Sequence, residues 1–361
     1  MEKKEFKNIL MIKSYSAGIG DILRSSAAWR ALKNKYNNVS LSLLFITNHP
    51  TYPSLELISK HHLLDKFFPI YKRELKNFKN LENTKNFLDS IVKQVRPDLI
   101  IDFEPYGMTT TLVALYFRII HKIPTLGINE VFPRGYFYTY SADSIKKFAK
   151  KTEKKLPLNF TDKDFVVLYR LGIERGNIEI EIQETEEGKK FRKNIRNILK
   201  IKENLPLFGI NIGCGTEDAK HKRPDFRLLA KIVKYVYNKY KMIPILFGAP
   251  FEKQINQSFI NQFFKYNIDI PIYDLAGKTN IFQLVGAINA MELFISSDSG
   301  PYHIATALKK PNVAIFNFPN EEHYNINPWT KCVVAPNEKY FNDVAIAIDE
   351  VLSENKSFNV S

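Results

Sequence analysis

The sequence predicts an α/β protein made of two similar halves, each a parallel sheet covered by helices on both faces. Short β-branched or aromatic runs alternate with amphipathic helical runs. The alternation lapses over 141–204, a charged stretch low in strand signal, and resumes at Leu207. Polar loops carrying glycine follow the apolar runs, at the strand ends where open parallel sheets bind ligands. The 361 residues exceed one typical core and suit two, and a hydrophobic content of 45% excludes a disordered chain.

In the first half, residues 8–13 (NILMIK) read as a strand, and the loop 14–21 leads to a helix from about Ile22 to Tyr36. Its Leu23, Ala27, Ala31 and Leu32 recur near helical spacing. Strands follow at 39–46 and 67–71, with a helix at 52–60 between them. The amphipathic run 81–95 stops before Pro97, and 98–103 (DLIIDF) is a buried strand. A helix at 109–121 and the aromatic stretch 136–140 close this half. Residues 163–173 read as a helix ending at Gly172, and 174–204 as a linker holding one basic helix. In the second half, strands are expected at 207–213, 242–248 and 270–274, with helices at 225–240, 251–265 and 280–290. A strand, turn, helix and strand over 293–316 complete it. The expected domains are 1–180, 181–340, and a final helix in 341–361 that packs back on the first domain.

The net charge is +14, with basic runs at 146–155 and 189–202. Solvated helix faces explain single lysines, and attraction to an anionic bilayer surface or a phosphorylated acceptor explains the sum. No nucleic-acid-binding motif is present, so nucleic acid is not an expected partner. No apolar run reaches the length of a membrane span, and the amino terminus lacks a signal-peptide pattern. Cys214 and Cys332 form no CxxC pair, which suggests a reduced, cytoplasmic protein. The seven histidines show no metal-binding spacing, so no metal is expected, and no cofactor is expected either. No GxSxG is present.

The chemistry sits in the loops. In SAGIGDIL, Gly18 and Gly20 allow a tight turn, and Asp21 is either a helix cap or a general base for an acceptor hydroxyl. In IGCGTEDAKHKRPDF, Gly213, Gly215 and Thr216 offer donors, while Lys220 and Lys222 can neutralise a diphosphate. The bland alternative is an exposed loop. Glu252, after the next strand, either binds a ribose diol or merely opens a helix. Gly277, Lys278 and Thr279 lie near another helix start. In SSDSGPYH, Ser299 and Gly300 present backbone N–H groups to an anion, Asp298 can hold a sugar hydroxyl, and His303 lies one turn into the helix. For His303 the alternative is a hydrogen bond to the turn, without chemistry. Lys72-Arg73 and Arg134 are the candidate acceptor contacts.

Taken together, ILMIKSYSAGIGDILRSSAAWRALK, RPDLIIDFEPYGMTTTLVA, GINIGCGTEDAKHKRPDF and DLAGKTNIFQLVGAINAMELFISSDSGPYHIATALKKPNVAIF resemble glycosyltransferase family 9, the heptosyltransferases of lipopolysaccharide core assembly. The resemblance implies a GT-B fold, two Rossmann-like domains with parallel sheets facing a central cleft. It implies an inverting, metal-independent transfer from ADP-heptose to a lipid-linked or phosphorylated glycan acceptor. The enzyme would be cytoplasmic, peripheral on the inner face of the membrane. By position, Asp21 matches the family's catalytic base. Thr216 and Lys220 match diphosphate contacts, with Lys220 preferred to Lys222. Glu252 matches a ribose contact, Asp298 a donor-sugar contact, Ser299 and Gly300 backbone diphosphate contacts, and His303 a donor-loop residue. The chain departs from the family pattern at Ser25-Ser26, at Lys222-Arg223 and at Asn317-Phe318-Pro319. The rival readings are a transferase of the same fold using another nucleotide-sugar, such as UDP-GlcNAc, and an inactive nucleotide-sugar-binding protein.

Overall fold

The computed structural model describes residues 5–15, 18–49, 52–76, 81–215, 217–265 and 269–358. The chain divides into two compact units, Met1–Ile180 and Glu181–Ser361.

The first unit runs β1 (Asn8–Tyr15), α1 (Ile19–Leu23), α2 (Ser26–Lys35), β2 (Ser40–Thr47), α3 (Pro53–Ser59), β3 (Lys66–Tyr71), α4 (Lys72–Lys76), α5 (Leu81–Val95), β4 (Leu99–Asp102), α6 (Met108–Ile120), β5 (Thr125–Ile128), β6 (Tyr140–Ala142), α7 (Ile145–Lys151) and α8 (Phe160–Leu168). Its strands form one six-stranded sheet in the order β3-β2-β1-β4-β5-β6. Each pair is parallel, with Asn8 beside Ser40 and Ile9 beside Leu99. Leu10, Ile12, Leu44, Ile100, Ile91 and Phe117 share one core. Buried strands of this kind read as continuous apolar runs, which is why the sequence displays them plainly.

The helix expected from Ile22 to Tyr36 is two helices broken at Arg24-Ser25. Ser25 N–H turns back to the Ile22 carbonyl and does not continue the α-helical ladder. The helix expected over 163–173 begins earlier, because the Asn159 side chain accepts from Thr161 N–H and caps it.

The second unit runs α9 (Glu186–Leu199), β7 (Leu207–Asn211), α10 (Phe226–Tyr240), β8 (Ile243–Phe247), α11 (Lys253–Lys265), β9 (Tyr273–Asp274), α12 (Ile281–Asn289), β10 (Leu293–Ser297), α13 (Gly300–Ala307), β11 (Asn312–Phe316), β12 (Thr330–Val334) and α14 (Phe341–Phe358). Its sheet is also six-stranded and parallel, in the order β12-β11-β10-β7-β8-β9. Asp225 caps α10 by accepting from Leu228 N–H. Leu228, Leu229, Ile232, Val233 and Val236 then bury one helical stripe. Asn280 and Gln283 close α12 with a capping box.

Two expectations on domain organisation change. The segment 174–204 is not a linker throughout, since α9 packs on α12 and buries Phe191, Ile195 and Leu199. The approach is close enough that a Cβ on Gly286 would stand 2.1 Å from the Gly188 carbonyl oxygen. The final helix, α14, packs within its own unit. Val344, Ala347, Ile348 and Val351 join a core with Phe208, Ile295 and Ile315. Among the described residues no helix is long and apolar enough to cross a membrane.

Candidate active site

In each sheet the chain reverses its direction of strand addition once. In the second unit this point lies between β7 and β10, where the loops after neighbouring strands diverge and leave room for a ligand. The last residue of β7, Asn211, donates to the Gly213 carbonyl (2.9 Å) and to Ser299 Oγ (3.0 Å). Ser297 Oγ donates to the same Gly213 carbonyl at 2.7 Å, and Ser296 Oγ meets Ser299 Oγ at 3.0 Å. Asn211, Ser296, Ser297 and Ser299 are all buried. Their mutual bonding satisfies these groups and fixes both loops.

Ser299 therefore spends its hydroxyl on the loops and caps no helix N–H. Helix α13 begins at Gly300 and Pro301 with no side-chain cap, which leaves its positive end for another acceptor. His303 lies within this helix, buried, with Nδ1 3.1 Å from Asn325 Nδ2 and its ring against Tyr302. The bonded partner, Asn325, lies in the loop after β11 and not in the turn at the start of α13.

Asp298 is the most strongly held group. Its Oδ2 meets Lys222 Nζ at 2.8 Å and His323 Nδ1 at 2.8 Å, and Oδ1 has no hydrogen-bond partner among the described residues. Burial works against the charged carboxylate, but the hydrogen bonds and charges of His323 and Lys222 outweigh it. The group stays ionised well below the usual carboxylate range. Lys222 is thus the lysine placed on Asp298, whereas Lys220 lies exposed on the same turn, Glu217–Lys222. Asn317 fastens this turn to the end of β11 by donating to the carbonyls of His221 (2.6 Å) and Arg223 (2.9 Å), and Phe318 stacks on His221. Thr216 lies outside the described residues.

Glu252 is buried and serves as a brace. Its Oε1 accepts from Gly215 N–H (3.1 Å) and its Oε2 from Ala249 N–H (2.7 Å), which ties together the loops after β7 and β8. A Cβ on Gly213 would fall 1.8 Å from Glu252 Oε1, so only glycine lets the carboxylate in. Gly277 N–H bonds the Gly248 carbonyl, and the exposed Lys278 donates Nζ to the Asp274 carbonyl. Burial pushes the Cys214 thiol up to about 11, which makes it a poor nucleophile. No group of three His, Cys, Asp or Glu side chains among the described residues is arranged to hold a metal ion.

The first unit has its own reversal between β1 and β4. Gly18 is the N-cap of α1, Gly20 is buried in its first turn, and Asp21 is its third residue, not its cap. A Cβ on Gly18 would stand 2.9 Å from Asp21 Oδ2, so the carboxylate leans over the helix start. Across the strand ends, Glu104 Oε1 accepts from Ser14 N–H at 3.1 Å. Burial pushes the Glu104 carboxyl up to about 7, with Asp102 and Asp164 adding to the rise against Lys13 and the Ser14 bond. Lys13 is itself buried and paired to Asp164 at 2.6 Å. Arg134 departs from expectation. It is 1% exposed and donates to Asp102 Oδ2 (2.8 Å), Thr111 Oγ1 (2.6 Å) and the Ile128 carbonyl (3.3 Å). It holds the core together and is not open to an acceptor.

Residues 179–342 match the model of glycosyltransferase family 9 (heptosyltransferase). The second unit is similar to glycosyltransferase family 9. The family match spans β7 to β12 and every second-unit residue of the candidate site described above. Lipooligosaccharide heptosyltransferase 2 of Campylobacter jejuni subsp. jejuni serotype O:6 is 33% identical over 126 residues, which is 35% of this chain and 38% of that relative. The aligned stretch thus spans well under half of the curated relative. A family 9 glycosyltransferase of Veillonella parvula superposes with a TM-score of 0.67 at 16% identity, covering 97% of this chain and 92% of that one. The ADP-heptose LPS heptosyltransferase II of E. coli does so with a TM-score of 0.64 at 16% identity, covering 97% and 98%. At these identities the likeness is one of fold, and the fold is GT-B: two Rossmann-like units in sequence.

His323, Asn211, Asn317 and Glu104 are the residues that motif reading missed. His323 lies in the loop NEEHYN, 25 positions beyond Asp298, with nothing local to mark it. Asn317 did carry a signal, since it begins one of the departures from the family pattern.

Proposed function

We propose that the protein is an inverting glycosyltransferase that moves a heptose from ADP-heptose to a lipopolysaccharide-core or related glycan acceptor. The observation that carries the reading is Asp298, held on one oxygen by Lys222 and His323, beside the uncapped start of α13 inside a region that matches the family 9 model. An ionised carboxylate with one open oxygen accepts a hydroxyl of the donor sugar. The helix start and Lys220 meet the diphosphate, whose negative charge grows as the sugar departs. Glu252, braced by two backbone N–H groups, keeps acceptor capacity for a ribose hydroxyl. Asp21 takes the proton from the acceptor hydroxyl as that oxygen attacks the anomeric carbon opposite the diphosphate, which inverts the centre. Lysine and helix charge fill the place of a metal, so a chelator leaves turnover unchanged. The net positive charge suits a phosphorylated, membrane-linked acceptor at the inner face of the cytoplasmic membrane.

The test is mass spectrometry of products formed from ADP-heptose with a native lipid extract. A mass gain of one heptose, absent with UDP-GlcNAc, supports the reading. Transfer from UDP-sugars but not ADP-heptose replaces the donor, and ADP-heptose binding without any transfer leaves only a binding protein.

A further inference from the structure

Helix α6 is apolar on the side that a sheet-covering helix ordinarily turns to water. Val113, Ala114 and Phe117 enter the core of the first unit. Yet Met108, Leu112, Ile119 and Ile120 are each more than half exposed. They extend along a helix about 20 Å long. Beside it packs the 3-10 turn Arg134–Phe137, fastened where Arg118 Nη1 donates to the Tyr136 carbonyl at 2.9 Å. Phe132 and Tyr136 stand edge to face there, 81% and 76% exposed. A contiguous apolar and aromatic face of this kind marks an interaction surface.

Its charges identify the occupant. Arg118 and Lys122 flank the apolar stripe. Glu130 is the single acidic residue between positions 105 and 140, and it already accepts from Ile145 N–H. Asp89, beside α6, accepts from Tyr116 Oη and His121 Nε2. A two-fold pairing of this face with itself would bring cations together with no free acid to meet them. A bilayer surface supplies what the face lacks, an apolar boundary layer edged with phosphates, and aromatic rings favour that boundary.

We propose that this face of α6 and the turn beside it docks the protein on an anionic lipid surface. Leu112, Ile119, Phe132 and Tyr136 enter the headgroup boundary, and Arg118 and Lys122 meet the lipid phosphates. Glycan-free vesicles serve as the probe, so the result is independent of donor, acceptor and turnover, and its failure is distinct from a failure of the transfer reading.

The experiment is vesicle flotation of the full chain with phosphatidylcholine alone and with added phosphatidylglycerol. The wild type is expected to float with the anionic vesicles. The double variant Leu112→Ser, Phe132→Ser should lose at least about tenfold of its partitioning. Lys122→Glu should lose the response to phosphatidylglycerol, and its exposed position keeps the test open should the double variant fold poorly. Ile346→Ser, which removes an exposed apolar side chain from α14, should change nothing. Wild-type protein that stays with the soluble fraction overturns the proposal. So does a double variant that floats normally, or a wild-type dimer that the same substitutions dissolve.

Discussion

The two units place different chemistry at the same point of the same topology. In the second unit, the carboxylate at the reversal is Asp298. Lys222 and His323 hold it ionised, and the turn beside it carries further cations. In the first unit, the groups at or near the reversal are mostly acidic: Asp21, Asp102, Glu104 and Asp164. The buried Lys13 is already committed to Asp164, and Arg134 to Asp102. Glu104 is pushed up to about 7 while Asp298 is held below the usual range, so the two reversals have opposite electrostatic character. A parallel sheet fixes where a site can form, and the loop side chains decide its electrostatic character.

Replacing Asp21 by alanine attacks the difference at its functional end. Turnover should fall by roughly 10²–10⁴-fold, the usual contribution of a general base, with ADP affinity unchanged. Steady-state kinetics and calorimetry check this, and unchanged turnover would remove Asp21 from the chemistry. Next in size is Arg134→Leu. It leaves the buried Asp102 charge unpaired and should cost about 3–5 kcal/mol of stability in urea unfolding. A loss below about 1 kcal/mol would mean that Asp102 finds a proton or water instead.

The two lysines of the second unit should separate. Lys220→Ala should weaken ADP binding by about tenfold, the scale of one charge-assisted hydrogen bond. Lys222→Ala acts through Asp298, so it should lower kcat with donor sugar more than it lowers ADP affinity. His323→Gln should repeat that pattern more weakly. If Lys222→Ala alone abolishes ADP binding, the roles are reversed.

The last contrast is in pH dependence. Between about pH 4.5 and 7 the folded protein keeps a proton on Glu104 that the unfolded chain has released, so stability falls as pH rises across that window, by at most ~3 kcal/mol. Glu104→Gln keeps an acceptor for Ser14 N–H and should flatten that slope. Asp298 has the opposite sign: its contribution is present at neutral pH and disappears as pH falls below the usual carboxylate range. Chemical unfolding at stepped pH distinguishes the two.

Much of the fold was legible because buried parallel strands such as β7 and β10 are nearly unbroken apolar runs. Boundaries failed where a single residue overrode the pattern. Pro271 has no N–H for the ladder, and the strand expected over 270–274 shrinks to Tyr273–Asp274. Asp298, Ser299 and Gly300 were legible because the turn between a strand and a helix is local in sequence. His323 was not, since its role depends on a loop returning to the site from beyond β11. Arg134 was misjudged for a related reason. A lone arginine in a loop reads as exposed, and only its distant partner Asp102 shows that it is internal.

The docking of α9 on α12 has a practical consequence for dissecting the molecule. The repeating strand pattern suggests cutting before Leu207, but such a fragment would strip the cover from α12 and uncover the seam at Gly188 and Gly286. A fragment holding the second unit should therefore start upstream of Glu186, close to where the family match itself begins.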